Sequence, residues 1–459
     1  MNFIWTNSSV AEVTKGISNC NTLWQAVQVT IDSRTARKGD LFIALQGERS
    51  DGHEFIEAAK NQGAIAALVQ EFVQSDLPQI KVASTRTALQ ELGIYNRARS
   101  KAKIIGVTGS VGKTSTKEAL RIAFTSQGST YASHGNFNND LGVPISLSNI
   151  PLDTRFAIFE MGMSAHGELT ELTKQVRPHI AIISNIEPVH LEFFSSLKDI
   201  AKAKAEIFTG VEDGGFAILN KDNDLFTYLA ELATASNIKN VLSFGEDEKA
   251  DARLISYTES EHSCLIKADI LGKIISYRLG CSGIHQARNS LAVLLAVAAA
   301  EEDIVSSAET LQEFSALKGR GKIYNLAKNN LEYFLIDDSY NAGPASIKAA
   351  LKVLGTCQAK TGRRVAILAD MRELGPSSVE FHKDLATDII NNNIDQVICV
   401  GNMMRHLYDI LPQNKKLAAF ANVNEVIPEI YHYLKNKDMV LVKGSLGTGI
   451  FKLVEHLIK

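Results

Sequence analysis

The chain has little of what marks secreted, membrane-embedded or general nucleic-acid-binding proteins. Its 459 residues hold only five cysteines (Cys20, Cys264, Cys281, Cys357 and Cys399), scattered, odd in number and without a C-x-x-C pair. That usage predicts a reduced, cytoplasmic protein rather than a disulfide framework. The net charge of −3 lacks the basic surplus of a general nucleic-acid binder. The longest apolar run, Leu291–Ala300, is about half of a membrane span. No charged-then-apolar leader opens the sequence, so no signal peptide is expected. Internal repeats and low-complexity tracts are absent, and no glycine-rich dinucleotide fingerprint follows any strand. What is present is 45% apolar and 22% charged residues, enough for globular cores, in a length that predicts roughly two to four domains.

The most informative stretch is Ile104–Leu120, IIGVTGSVGKTSTKEAL. Ile104, Ile105 and Val107 read as a buried strand. The chain then turns through Gly109, Ser110, Val111 and Gly112 and delivers Lys113, Thr114 and Ser115 to a helix expected to run to Gly128. A strand, a glycine-rich turn and a helix aim backbone N–H groups and a helix N-terminus at an anion. The glycines permit close approach to a phosphate, Lys113 supplies a point charge, and Thr114 offers a hydroxyl to Mg²⁺. The turn is shorter than the standard P-loop, with Val107 where that motif has its first glycine. A nucleoside triphosphate site is predicted.

Around this stretch the pattern is α/β. Residues 1–100 read as a small domain with strands at Val29–Ile31, Leu41–Leu45, Ala64–Val69 and Ile80–Ala83 and a helix at Phe55–Gly63. Its Ser33 and Arg34 suit either a phosphate or sugar contact or a plain Asp-Ser turn. From residue 101, strands alternate with helices, predicting a parallel sheet. Strand Phe156–Phe159 ends in Glu160, where nucleotide-bound Mg²⁺ is usually met, and Ile180–Ser184 runs toward His190, a solvated histidine or a ligand. A helix is expected over 196–208, carrying Lys198, Lys202 and Lys204. Residues 252–279 alternate like antiparallel ribbons. Asn289 precedes the apolar helix Ser290–Ala300 as a cap or a base contact. Beyond a glycine- and charge-rich connector at 317–322, strands Tyr333–Ile336, Val365–Leu368, Val397–Val400 and Met439–Val442 end in polar residues, as in a doubly wound sheet whose loops face a ligand.

Taken together, TGSVGKTS (108–115), GNFNNDLGVP (135–144), EMGMS (160–164), NIEPVHLEFF (185–194), AKAKAEIF (201–208), NKDND (220–224), HQARNSLA (285–292), LKGRGK (317–322), DDSYNAGP (337–344), ADMRELG (369–375) and VKGS (442–445) resemble the Mur ligases, ATP-dependent amino-acid-adding enzymes of peptidoglycan precursor synthesis. DSR (32–34) and LQGERSDGHEF (45–55) resemble the uridine-binding domain of the branch that adds D-alanyl-D-alanine to UDP-N-acetylmuramoyl-tripeptide. The branch assignment also draws on the absence of the Asp-Asn-Pro motif of the diamino-acid-adding relative, while folylpolyglutamate synthases lack the first domain. The resemblance implies three domains: an N-terminal UDP-substrate domain (1–100), a central P-loop ATPase-type parallel sheet (101–316) and a C-terminal Rossmann-like domain (317–459).

The same resemblance implies a mechanism and a residue set. ATP phosphorylates the tripeptide carboxylate, and the amine of D-alanyl-D-alanine captures the acyl phosphate. Thr108, Gly109, Ser110, Val111, Gly112, Lys113, Thr114 and Ser115 would cradle ATP, with Asn289, Arg320 and Asp338 at adenine, phosphate and ribose. Thr114 and Glu160 would hold one Mg²⁺, and His190 with a carbamylated Lys204 a second. Lys113, Glu160, His190 and Lys204 form the expected catalytic set. Ser33, Arg34 and Gly47 would meet the uridine diphosphate, Asn138 and Asn139 the muramoyl-peptide side, and Asn341, Lys443 and Ser445 the acceptor or phosphate region. A monomer is expected. Three positions depart from the family pattern: Leu446-Gly447-Thr448-Gly449-Ile450 replaces a basic segment, Ala369 a glycine, and Gly343 an asparagine. A nucleotide-driven switch or motor, and a non-catalytic binder of UDP-muramoyl peptides, are the alternative readings.

Overall fold

The computed structural model describes residues 3–47, 50–188, 192–260, 263–357 and 362–459. Three main sheets organise them. A five-stranded sheet runs in the order Ile17–Ser18, Gln79–Lys81, Ala66–Val69, Asp40–Ile43, Gln28–Thr30, parallel except at its first pair. A nine-stranded sheet has the order Lys273–Leu279, Cys264–Ile270, Ala252–Glu259, Asn240–Gly245, Phe216–Asn220, Ile180–Ile183, Lys103–Thr108, Phe156–Glu160, Thr130–Ala132. A six-stranded sheet follows, ordered Lys322–Lys328, Leu331–Asp338, Met439–Lys443, Arg364–Ala369, Gln396–Val400, Lys416–Phe420.

In the nine-stranded sheet, Lys103–Thr108 lies between two parallel partners, Phe156–Glu160 and Ile180–Ile183. Its apolar run is uninterrupted because both faces are covered. Ile105 and Val107 pack with Leu120, Phe124 and Leu291 on one side, and Ile104 packs with Phe159, Leu169 and Ala181 on the other. The antiparallel ribbons over 252–279 extend this sheet, joined to it by the parallel pair Phe244↔Ala252.

Several expected boundaries move. The helix after the phosphate turn spans Lys113–Thr125, and the lysine-bearing helix spans Leu197–Ala205, followed by a 3₁₀ turn to Gly210. The apolar helix starts earlier than its hydrophobicity suggests, at Ile284, and runs to Ala299. Asn289 therefore sits inside the helix, which excludes its reading as a cap. Two strands of the third sheet, Lys322–Lys328 and Lys416–Phe420, lie at its two edges. Edge strands have one open side and need no continuous apolar run. Among the described residues no helix is long and apolar enough to cross a membrane.

The first two sheets are tied to each other through buried polar contacts. Asn149 pairs with the Val29 backbone, accepting from its N–H at 2.7 Å and donating to its carbonyl at 2.9 Å. Trp5 Nε1 donates to Ser148 O at 3.0 Å. On the connecting helix Thr85–Arg99, buried Asn96 donates to Leu147 O and Ile150 O at 2.8 and 3.0 Å. Arg97 donates to Val176 O and Arg177 O, both at 2.7 Å.

Two outcomes follow for stability. A buried carbonyl without a donor costs about 1–3 kcal/mol; Leu147 O keeps the Ile150 N–H, so Asn96→Ala, which takes the side-chain donor from Ile150 O, should lower the unfolding free energy by about 2 kcal/mol in urea denaturation. His179 accepts the Ile104 N–H at Nδ1, 2.9 Å away. Burial, reinforced by Arg97 and Lys103, lowers its pKa from 6.5 to about 4. The unfolded chain therefore binds the extra proton first, and stability should fall as pH drops from about 6.5 to about 4. His179→Asn should flatten that part of the stability–pH curve.

Candidate active site

The phosphate turn is shaped by its neighbours. Gly109 has φ +146°, and a Cβ there would fall 2.1 Å from Ser184 Oγ. That hydroxyl lies 2.6 Å from Val111 O and 3.2 Å from Thr108 O. Ser110 donates its N–H to Asn185 O at 2.8 Å and its hydroxyl to Glu187 O at 3.0 Å. Asn185 in turn accepts from Asn220 and Asn223, at 3.2 and 2.8 Å. The NKDND turn thus supports the end of strand Ile180–Ile183, which supports the turn. Gly112 has φ +85°, and a Cβ there would sit 2.9 Å from Asn289 Nδ2. The structure accordingly brings Asn289 onto the loop.

Lys113 reaches back to Gly109 O and Ser110 O, at 2.7 and 3.3 Å. Burial pulls its pKa down, Glu160 opposes the shift, and Arg320 adds to it. Glu160, at its strand end, is buried and holds two donors: Thr114 Oγ1 at 2.8 Å on one oxygen and Asn138 Nδ2 at 2.8 Å on the other. Its backbone N–H is bound by Ser133 Oγ at 3.2 Å. The Thr114 hydroxyl and the Glu160 carboxylate form the hard oxygen pair that suits Mg²⁺. Lys204 is buried, and among the described residues no carboxylate lies within ion-pair distance of it. Burial and then the Lys113 charge drive its pKa well below the usual lysine value. His190 lies outside the described residues. Thr108 and Ser115 are buried where the loop meets its strand and its helix.

The third sheet contributes from the opposite wall. Gly319 N–H donates to buried Asp337 at 2.7 Å, fixing the connector to that sheet. Arg320 stacks on the Tyr340 ring with its guanidinium carbon 4.1 Å from the centroid. Lys443 pairs with Asp338 at 2.7 Å and donates to Asn341 O at 2.9 Å. Ser445 donates to Ala342 O at 3.3 Å and accepts the Arg372 N–H at 3.0 Å. Lys443 and Ser445 therefore hold the 338–342 loop in place, with Asp338 and Asn341 at the cleft. The Asn341 carboxamide oxygen accepts from Ala342 N.

Between these walls lies a cleft of about 1610 Å³. Lys113, Glu160, Asn138, Asn139, Asn289, Arg320, Asp338, Asn341 and Lys443 all line it. Ser33, Arg34 and Gly47 do not. Ser33 is buried in its turn, Arg34 is exposed and paired with Asp32 at 2.7 Å, and Gly47 N–H donates to Ser50 O. Among the cleft residues that sequence reasoning did not assign are Glu187 and Tyr340, although both sit inside motifs it used. Burial raises the pKa of Glu187, with Asn185 opposing. The departures from the family pattern are accommodated. Ala369 is a strand residue and needs no positive φ, and Gly343 has an extended φ of −147° at the start of helix Pro344–Thr356. Gly447 leaves room for the Arg372 guanidinium, whose Nη1 would be 2.5 Å from a Cβ there, so a cation does lie over the 446–450 loop.

Comparison with known proteins gives matches along most of the chain. Residues 26–102 match the Mur ligase family, catalytic domain; 107–297 the Mur ligase middle domain; and 319–446 the Mur ligase, glutamate ligase domain. The UDP-N-acetylmuramoyl-tripeptide--D-alanyl-D-alanine ligase of Rickettsia prowazekii is 39% identical, covering 99% of both chains. The Escherichia coli ligase of the same name is 32% identical over 94% of this chain and 93% of its own. A crystal structure of MurF from Acinetobacter baumannii superposes with a TM-score of 0.84 at 31% identity, covering 99% of this chain and 98% of that one. MurF from Thermotoga maritima in complex with ADP gives 0.76 at 27% identity, over 94% and 96% of the two chains.

A Cβ at position 112 would clash with Asn289 and strain the positive φ. Gly112→Ala should therefore weaken ADP binding by about tenfold, or about 1.4 kcal/mol, in titration calorimetry, while the variant keeps its circular dichroism spectrum.

Proposed function

Because this chain belongs to the Mur ligase family, we propose that it is an ATP-dependent amide ligase joining D-alanyl-D-alanine to UDP-N-acetylmuramoyl-tripeptide, which forms the pentapeptide precursor of peptidoglycan. The observation that carries the reading is the convergence of Lys113, Glu160, Arg320 and Asp338 on one cleft between the second and third sheets. The domains are assigned as 1–100, 101–316 and 317–459, in a cytoplasmic, monomeric enzyme of cell-wall growth and division.

The chemistry joins two anions before it joins an acid to an amine. A tripeptide carboxylate oxygen attacks the γ-phosphorus of ATP, the new O–P bond forming as the bond to ADP breaks. The dipeptide amine then attacks the acyl carbon, the C–O bond breaks, inorganic phosphate leaves, and the amine proton passes to solvent. Lys113 and Arg320 offset the charge that keeps carboxylate and phosphate apart. The backbone N–H groups of Gly109 and of Val111 to Ser115 orient the phosphates, Asn289 meets the adenine side, and Asp338 the ribose. Asn138 and Asn139 face the muramoyl peptide, Asn341 the acceptor, and Ser33, Arg34 and Gly47 the uridine diphosphate. With the cleft closed, water that would hydrolyse the acyl phosphate is kept out. Magnesium, with Thr114 and Glu160 at one ion and His190 and Lys204 at another, would neutralise phosphate charge.

A carbamate at Lys204 fits its surroundings. Burial beside Lys113 favours the neutral amine, the form that adds CO₂ and releases a proton to give R–NH–COO⁻. That anionic oxygen ligand is one Mg²⁺ prefers. Equilibration with ¹³CO₂ should give a carbamate carbon signal in the wild type that Lys204→Ala lacks, and an unmodified, dispensable Lys204 would remove the assignment.

The functional test is phosphate release with ATP, UDP-N-acetylmuramoyl-tripeptide and D-alanyl-D-alanine, each omitted in turn. Release should need all three. Hydrolysis indifferent to both peptides would point to a nucleotide-driven switch, and tight binding without turnover to a non-catalytic binder. Glu160→Gln should lower the rate by about 10²-fold or more.

A further inference from the structure

Four residues beyond Lys113, and so on nearly the same face of the phosphate helix, stands a second lysine that the reaction does not use. Lys117 is fully buried. Its ammonium donates to Ser133 O at 2.8 Å and Gly135 O at 3.0 Å, and Glu118 Oε1 lies 3.2 Å away. A lysine ammonium has three N–H donors, and three acceptors surround this one. Nothing is left to donate to a ligand, so Lys117 acts on the chain itself. A buried charge is retained at a cost, and an apolar side chain of similar length would pack there without it.

What Lys117 grips is the start of the segment whose far end, Asn138 to Asp140, lines the cleft. Ser133 also binds the Glu160 N–H. Five residues on, Asn138 donates to the Glu160 carboxylate, and its carbonyl accepts the Gly162 N–H at 2.8 Å. The far end, Asp140, is ion-paired with Arg86 on the helix that leads from the first sheet. Gly135 has φ +52°, with nothing within 4 Å of its Cβ position, so the segment bends where the ammonium holds it. From these contacts we infer that Lys117 is a positioning residue that sets the 133–140 segment against the phosphate helix and thereby aligns the acyl substrate with the nucleotide. The inference rests on the ligase reading for the identity of that substrate.

The test separates the two substrates. In Lys117→Met, the KM for UDP-N-acetylmuramoyl-tripeptide should rise by about tenfold while the KM for ATP stays within about twofold. Lys117→Arg, which keeps donors in place, should recover part of the loss. Gly135→Val approaches the same contact from the loop. No atom lies within 4 Å of the new Cβ, but a β-branched residue disfavours φ +52°, so the carbonyl should leave the ammonium and give the same split. If Lys117→Met does not fold, Gly135→Val alone decides. A folded variant of either kind with an unchanged KM for the muramoyl substrate would overturn the inference, as would an equal rise in both KM values. A wild-type enzyme without turnover would sink only the ligase reading, because calorimetric titration with UDP-N-acetylmuramoyl-tripeptide still reads the effect of Lys117.

Discussion

The parallel pairing of Lys103–Thr108 between Phe156–Glu160 and Ile180–Ile183 is the constraint on which the rest depends. The register sets Val107 beside Glu160 and Thr108 beside Ile183, so three strands end together. From those ends come the phosphate turn, a buried carboxylate and the Ser184–Glu187 segment that braces the turn. A slip of one residue would carry Glu160 to the other face of the sheet and leave Thr114 without its partner. The apolar residues that hold the register thus also hold the polar geometry, and burial on both faces makes slippage expensive.

The electrostatic character of the cleft follows from what burial leaves unbalanced. Burial lowers the pKa of both Lys113 and Lys204, the Lys113 charge adds to the shift at Lys204, and Arg320 brings a further positive charge to Lys113 from the opposite wall. Glu160, the carboxylate among them, is already held by Thr114 and Asn138. Such an arrangement is costly in isolation and becomes favourable when anions enter it. Lys443 is different in kind, since Asp338 neutralises it and its work is to hold a loop. Residue type alone does not separate these roles.

Much of this was legible in the sequence where local pattern and tertiary role coincide. The phosphate turn is one such place, because strand, glycines and helix are contiguous and each is needed there. Glu160 is another, being a carboxylate at the end of an apolar run. Lys117 was not legible, because on a helix a lysine one turn past the loop reads as a solvated charge, and its acceptors come from residues 133 and 135. Asn289 was ambiguous because the first turn of its helix, Ile284–Arg288, is polar and hides the helix start. Strand Lys416–Phe420 escaped because an edge position relaxes the hydrophobic pattern. The departures at Ala369 and Gly447 gained meaning only with coordinates. The first occupies ordinary strand geometry, and the second makes room for the arginine of another loop.

The three parts of the chain are not joined alike. The first two share buried amide and guanidinium contacts from Trp5, Asn96, Arg97 and Asn149, whereas a backbone bond from Glu192 to Glu373 reaches across to the third. Buried bonds therefore hold the turn after Gln28–Thr30 and the phosphate loop in parts that are tied to each other. If, as proposed, the first part takes the uridine diphosphate of a long substrate, the span between turn and loop would act as a gauge. A precursor one amino acid too short would leave its terminal acid stranded short of the loop, and length would be checked before any ATP is spent.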